Sequence, residues 1–151
     1  MKMGLGTQSC LQLHGFSDAS QDAYAAVIFL RASNNQSVSV QLLLAKSRVA
    51  PLKRPTIPRL ELLGCVIAVR LIRQVKDALN LNDVPTYFWC DSSTALAWIK
   101  RNENWNTFVR NRVEEVHKST VSEQWRHVPG TLNLADLPSR GCSVSKLIES
   151  Q

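Results

Sequence analysis

Residues 86–100, TYFWCDSSTALAWIK, indicate an α/β fold, because an apolar strand pattern is followed directly by a helical one. Its first part, which ends at Cys90, is short, apolar and aromatic, as is typical of a buried strand. The run from residue 93 onward is typical of a helix, with Ser92 as its predicted cap. A carboxylate, Asp91, stands at the turn between strand and helix. Ligands gather at the carboxyl ends of strands in open α/β sheets, so Asp91 is a candidate site residue.

The sequence on either side predicts four more strands and three more helices. Three apolar runs separated by turn clusters precede the turn and indicate an antiparallel meander, over residues 11–20, 22–32 and 37–47. A proline-rich loop then leads to a long helix from Pro58, in which apolar residues recur at helical spacing until Asn80 and Asn82. The helix of the opening stretch is predicted over 93–102. Two further helices are predicted at 106–119 and 133–141, with the fifth strand between them at 123–130.

This order predicts an α/β fold with a five-stranded mixed sheet and helices on both faces. The first three strands are antiparallel. Strands four and five are parallel, because helices must cross over between them. Strands one and four are expected to be neighbours, which would place Asp18 and Asp91 side by side at one end of the sheet.

Composition narrows the setting and the partner. The formal net charge is +6 and the pI about 9.5, which suits a polyanion, nucleic acid before an anionic membrane, although charge alone fits an inert basic surface equally well. The four cysteines have no metal-ligand spacing and are interpreted as reduced thiols. No apolar run is long enough for a membrane span, and the N-terminus lacks the apolar region of a secretory signal. A cytosolic or nuclear protein is expected.

Four acids are predicted to converge. Asp18 and Asp91 follow strands, while Glu61 and Asp136 are placed in the first turns of the long and the last helix. Helix dipoles alone would explain the latter two. Four clustered carboxylates, however, repel one another unless cations lie among them. Oxygen ligands of this kind suit Mg²⁺ or Mn²⁺, and two such ions are the usual machinery of phosphodiester cleavage.

Four stretches together resemble the ribonuclease H domain of BEL/Pao-class long-terminal-repeat retrotransposon polyproteins. These stretches are FSDAS (16–20), IPRLELLG (57–64), WCDSSTALAWI (89–99) and HVPGTLNLADLPSRG (127–141). The resemblance implies a ribonuclease H-like domain over 13–141, with an N-terminal extension at 1–12 and a tail at 142–151. It implies that Asp18, Glu61, Asp91 and Asp136 are the catalytic residues and the ligands of two Mg²⁺ or Mn²⁺ ions.

The same resemblance implies the substrate and the surroundings. The enzyme would cleave the RNA strand of an RNA–DNA hybrid during reverse transcription, beside the reverse transcriptase and integrase portions of the polyprotein. It would do so in a cytoplasmic retrotransposon particle or in the nucleus. Residues expected to contact nucleic acid are Ala19, Ser20, Arg48, Lys53, Arg54, Ser92, Arg101 and Trp105, the last being placed on the surface and its neighbour Trp98 in the core.

Three other functional classes fit the residues less well than a ribonuclease H. An integrase or transposase core would carry three acids, with a glutamate where this chain has Asp136. A non-catalytic nucleic-acid-binding or connecting domain of a retroelement, decayed or domesticated, would be expected to have lost an acid. A serine hydrolase is disfavoured because Ser92 lies in no GxSxG motif. One departure is noted: many ribonucleases H have a histidine in the loop before the last acid, whereas His127 lies within the predicted fifth strand.

Overall fold

The computed structural model describes residues 10–53, 55–101 and 103–136, and for Asp136 the backbone alone. Arg54, most of the predicted N-terminal extension, the greater part of the predicted terminal helix and the tail lie outside these residues. The predicted domain limits therefore stay predictions.

A five-stranded sheet forms the centre of the molecule. Its strands, in chain order, are β1 (Cys10–Ala19), β2 (Ala23–Ser33), β3 (Val38–Val49), β4 (Thr86–Cys90) and β5 (Trp125–His127). The order across the sheet is β3-β2-β1-β4-β5. The pairs β1–β2 and β2–β3 are antiparallel, and β1–β4 and β4–β5 are parallel. The predicted mixed sheet and the pairing of strands one and four are confirmed.

Three α-helices pack into one core with the sheet. They are α1 (Ile57–Leu79), α2 (Ser93–Lys100) and α3 (Thr107–His117), and all three contribute to the larger buried cluster. A second, smaller cluster contains Phe16, Phe29, Trp89 and Leu134. Because successive side chains of a strand point to opposite faces, Leu13 belongs to the first cluster and Phe16 to the second. Within the described residues the second face is covered by a 3-10 turn, Leu134–Asp136.

Helix α1 has a clear start and a clear end, and it packs closely against β1. It begins at Ile57, one residue before the expected start, with Pro58 in its first turn where the missing N–H is harmless. It ends at Leu79, and Asn80 follows as the cap residue, with a left-handed φ of 55°. A Cβ at Gly64 would lie 3.3 Å from the backbone oxygen of Asp18, so glycine lets α1 approach β1 closely.

The position of Glu61 in α1 corrects the sequence prediction. With the helix starting at Ile57, Glu61 is its fifth residue, and no acid lies in the first turn. The helix dipole, which acts mainly on the first turn, is therefore not the reason for an acid here.

In the described part of the chain, none of the helices has both the length and the apolar character needed to cross a membrane.

Candidate active site

The sheet brings two of the predicted acids to adjacent strand ends. In the parallel pair β1–β4 the last residues in register are Ser17 and Cys90. Asp18 and Asp91 are the next residue on each strand, so they emerge at the same end of the sheet. Both are half-buried. The Asp18 carboxylate accepts a hydrogen bond from the Ala19 amide at 2.8 Å.

Helix α1 adds a third acid to this end of the sheet. Glu61 is only 6% exposed. Its carboxyl oxygen, the Cys90 sulfur and an Asp91 carboxyl oxygen lie within 4.8 Å of one another. Among the described residues the Oε2 atom of Glu61 is buried without a hydrogen-bond partner. A buried carboxyl oxygen without a hydrogen bond reduces the free energy of unfolding unless a ligand binds it.

The raised pKa of Glu61 also favours a bound cation at this position. Burial and the neighbouring Cys90, Asp91 and Asp18 together raise the pKa of Glu61 to about 9, and burial is the largest cause. Without a cation the side chain is therefore protonated at neutral pH, with the Asp91 carboxyl group beside it. A divalent cation reverses the balance, because it favours the ionised form of every carboxylate around it.

The donor atoms fit a hard divalent cation. Asp91 and Glu61 offer oxygen ligands, with Asp18 close enough to act on Glu61 electrostatically. The pKa of the Cys90 thiol is raised by its hydrogen bond with Cys65 and by its burial. The thiol therefore stays protonated, and a protonated thiol is a poor metal ligand. Oxygen donors without a thiolate favour Mg²⁺ or Mn²⁺ over zinc.

The fourth predicted acid, Asp136, is described by its backbone alone. It ends the 3-10 turn that covers the second face of the sheet. Asn133, which precedes this turn, is fully buried and donates from Nδ2 to the Ser17 carbonyl at 2.7 Å. Its Oδ1 accepts from the Ala135 amide at 3.0 Å. Asn133 thereby ties the turn that carries Asp136 to the end of β1.

Two positioning residues escaped the sequence analysis. Asn133 is one, and an asparagine three residues before an acid was the only available signal. Gly130 is the other: a Cβ at this position would lie 3.2 Å from Oδ2 of Asp91. The chain reaches this point because the Val128 amide donates to the Cys90 carbonyl at 3.0 Å, which prolongs the β4–β5 pairing beside Asp91.

The residues expected to contact ribose lie around the acids. Ala19 ends β1, and Ser20 follows it on the surface. Ser92 caps α2 as predicted, because its hydroxyl accepts from the Ala95 amide at 3.1 Å. The cap fixes the first turn of α2 directly after Asp91.

The residues expected to contact phosphate are more dispersed. Arg48, Lys53 and Arg101 are exposed, whereas Arg54 lies outside the described residues. Trp105 differs from the surface position expected for it. It is half-buried against the main core, and its Nε1 donates to the Trp98 carbonyl at 3.1 Å.

His127 precedes the loop that leads to the turn carrying Asp136. It is the last residue of β5 and is exposed, as expected for a strand residue.

Comparison with known proteins gives a fold and a family. The structure is similar to the N-terminal RNase H domain of rv2228c from Mycobacterium tuberculosis, solved as a fusion with maltose-binding protein, with 15% identity, a TM-score of 0.58, and 93% of this chain and 98% of that chain covered. It is also similar to LC11-RNase H1 in complex with an RNA/DNA hybrid, with 12% identity, a TM-score of 0.53, and 82% and 88% covered. At such identities the likeness shows the fold.

The family rests on the sequence itself. No curated protein matches the chain. Residues 3–92, well over half of the chain, match the family described as Pao retrotransposon-like RNaseH-like domain. The match includes Asp18, Glu61 and Asp91, and it confirms the resemblance that the four sequence stretches indicated. The chain belongs to the Pao retrotransposon-like RNaseH-like domain family.

Proposed function

We propose that this domain is a ribonuclease H, an endonuclease that cleaves the RNA strand of RNA–DNA hybrids with two Mg²⁺ or Mn²⁺ ions. The observation that carries the proposal is the buried Glu61 carboxyl group, which lies against Asp91 with one oxygen unpartnered among the described residues. A structural acid at this depth would be expected to have hydrogen-bond partners for both oxygens. A metal ligand needs an open oxygen.

The four acids reach the proposed site from different elements of the fold. Asp18 and Asp91 extend from adjacent strand ends, and strands position side chains more precisely than loops do. Glu61 approaches from α1, and Asp136 would complete the set from the turn anchored by Asn133. Bound divalent cations would supply an activated water and stabilise the leaving oxygen of the phosphodiester.

The family and the substrate of a structural neighbour support the hybrid as substrate. The chain belongs to a retrotransposon family, and LC11-RNase H1 was solved with an RNA/DNA hybrid. Ribose 2′-hydroxyl groups distinguish the RNA strand, and the exposed backbone around Ser20, close to Asp18, is available to contact them. The reverse transcriptase and integrase portions of the polyprotein are the proposed neighbours of the domain.

The test is cleavage of an end-labelled RNA–DNA hybrid by the whole chain. Cleavage of the RNA strand should require Mg²⁺ or Mn²⁺, stop in excess chelator, and receive little support from Ca²⁺. Double-stranded DNA of the same sequence serves as the control substrate. Cleavage in chelator would remove the metal mechanism, and equal cleavage of the DNA duplex would favour an integrase-like enzyme. Binding of the hybrid without any cleavage would indicate a non-catalytic domain.

A further inference from the structure

A pocket on the second face of the sheet contains none of the four candidate acids. Its volume is about 220 Å³, and strands β1, β2, β4 and β5 all contribute to it. Along β1, its residue His14 precedes Asp18 by four residues, which is about 13 Å. We call it the arginine–aromatic pocket, and the residues that line it are Gln12, His14, Arg31, Tyr87, Trp89 and Arg126.

Three stacked rings form one wall of the arginine–aromatic pocket. The His14 imidazole stacks against Tyr87 and Trp89, with ring centres 5.3 and 6.1 Å apart. Trp89 Nε1 donates to Nδ1 of His14 at 3.0 Å, and Nε2 of His14 is bonded to Oε1 of Gln12 at 3.0 Å. Because the buried polar atoms of this wall bond to one another, the wall is already formed before any ligand binds.

Two arginines supply the charge of the pocket. Arg31 comes from β2 and Arg126 from β5, on either side of the rings. The Arg126 guanidinium lies over the Tyr87 ring, 4.8 Å from its centre, and a guanidinium stacked by its face still presents N–H donors at its edge. Arg31 donates from one terminal nitrogen to the Ser33 hydroxyl at 3.3 Å. Over the ranges that the structure describes, neither arginine has an acidic partner.

The size and charge of the pocket indicate carboxylates as its ligands. Sites for small molecules usually enclose about 300–1,000 Å³, so 220 Å³ suits amino-acid side chains better than a cofactor. A guanidinium group binds a carboxylate through two parallel hydrogen bonds. Two arginines that converge on one small pocket suit a pair of carboxylates, whereas the repeating charge of a nucleic-acid backbone needs a longer row of cations.

Charge also indicates where the carboxylates come from. Residues 1–9 contain a lysine and no acid, and the side chains of residues 137–151 carry a net charge of +1, from Arg140 and Lys146 against Glu149. A second copy of the chain carries +6. Each of these segments is repelled on balance by a pocket with two positive charges. An acidic segment of another protein is attracted to it.

We propose that the arginine–aromatic pocket docks an acidic segment of a partner protein, whose carboxylates pair with Arg31 and Arg126 beside the stacked rings. In an extended segment, acids at alternate positions lie on one face, about 7 Å apart, so one face of the segment presents two carboxylates to the pocket. This interaction is independent of hybrid cleavage.

The test titrates a fluorescein-labelled peptide of alternating glutamate and serine with the whole chain and follows its anisotropy. The parent should bind this peptide and should not bind the same peptide with glutamine in place of glutamate. Arg126→Gln and Arg31→Gln should each weaken binding several-fold. Arg110→Gln is the matched control and should bind as the parent does, because Arg110 is exposed on α3 and does not line the pocket.

A second measurement locates the bound peptide. Arg31 and Arg126 help burial to lower the pKa of His14. Carboxylates bound between these arginines oppose their charge, so the pKa of His14, followed by NMR, should rise in the saturated complex. The exposed His127 serves as the reference within the same protein. An unchanged pKa of His14 in the saturated complex would place the peptide elsewhere and overturn the proposal.

Three further results would overturn it. The first is equal affinity of Arg126→Gln and Arg110→Gln for the peptide. The second is an RNA–DNA hybrid that competes with the peptide and depends equally on Arg126, which would assign the pocket to nucleic acid. The third is a gain in peptide affinity with Glu149→Gln, which would assign it to residues 137–151 of this chain. Arg126 is exposed, and melting curves check Arg31→Gln for a loss of folding. Cleavage of the hybrid is not part of this test, so failure of the nuclease leaves it intact.

Discussion

Two buried titratable side chains, Glu61 on α1 and His14 on β1, differ in whether their polar atoms have hydrogen-bond partners. Glu61 faces the end of the sheet with Oε2 unpartnered among the described residues. His14, on β1, uses both ring nitrogens: Nδ1 accepts from Trp89 Nε1 at 3.0 Å, and Nε2 donates to Gln12 Oε1 at 3.0 Å. The imidazole also stacks against Tyr87, with ring centres 5.3 Å apart.

The pKa values of the two groups move in opposite directions for the same first reason. Burial favours the neutral form of each and is the largest cause of a pKa of about 9 for Glu61 and of about 4 for His14. Carboxylates surround Glu61, and Arg31 and Arg126 lie near His14, so the neighbouring charges add to both shifts. A cation would offset the repulsion between Glu61 and the acids around it, whereas both ring nitrogens of His14 already have hydrogen-bond partners. Shifted pKa values alone therefore do not identify a site; an unsatisfied buried atom within a set of ligands does.

The largest effect is expected for Asp91→Asn, which removes a charge and almost no volume. Cleavage of the hybrid should fall by orders of magnitude, because a displaced cation loses both its water and its hold on the leaving group. Stability in chelator should be equal or slightly higher, since repulsion among the acids decreases. Cleavage rates and melting curves of the two proteins measure both effects.

Asp83→Asn is the matched control for this substitution, because Asp83 is exposed in the turn after α1. It should change neither cleavage nor melting appreciably. An Asp91→Asn protein that is destabilised yet retains normal specific activity would show that Asp91 is a structural acid.

Glu61→Gln should sharpen the contrast through pH. The pKa of Glu61 rises from an ordinary 4.5 to about 9 in the folded protein. Between these values the folded state holds a proton that the unfolded state has released, so the stability of the metal-free parent should fall as pH rises through this window. Glu61→Gln should remove that decline and melt several degrees above the parent near pH 9 in chelator, while its cleavage falls by orders of magnitude. A parent melting temperature that does not change between pH 5 and 9 in chelator would contradict the burial assigned to Glu61.

Gly130→Ala tests how closely Asp91 is positioned. The added Cβ would lie 3.2 Å from Oδ2 of Asp91, so the carboxylate must shift by a few tenths of an ångström. Cleavage should decrease by about tenfold with little change in melting temperature, because small displacements at a reacting centre are costly. Thr131→Ala, an exposed position in the same turn, is the control. Equal cleavage by both variants would show that Asp91 tolerates the displacement.

The smallest effect, confined to acid, is expected at His14. Its pKa falls from 6.5 to about 4 on folding. The unfolded state therefore binds the extra proton between these values, and stability should be lost as pH falls from 6.5 toward 4. His14→Gln should reduce that loss by removing the titrating group, without changing cleavage at neutral pH. His127→Gln, at an exposed histidine, should retain the acid sensitivity of the parent, and melting curves at pH 4.5 and 7 compare the three proteins.

The comparison also shows which features local sequence could specify. The strands and α1 were predictable because their patterns are strong: alternating or continuous apolar runs bounded by turns, then apolar residues at helical spacing. Asp18 and Asp91 were predictable as neighbours, because parallel strands place the residues after them at one edge. The start of α1 was misjudged by one residue, and this small error placed Glu61 in the wrong turn and suggested a role for the helix dipole that its burial does not support.

The family, the order of the elements and the identity of the candidate acids follow from residue types and spacings along the chain, so they can be predicted from sequence. Three features became visible in the folded structure: Glu61 is buried with an oxygen unpartnered among the described residues, Asn133 anchors the last turn to β1, and Trp105 packs against the core. The tertiary structure also joined α1 to α3 through the ion pair between Arg70 and Glu115. Burial and hydrogen-bond satisfaction depend on contacts between residues far apart in sequence, and the local patterns of a single chain do not specify those contacts.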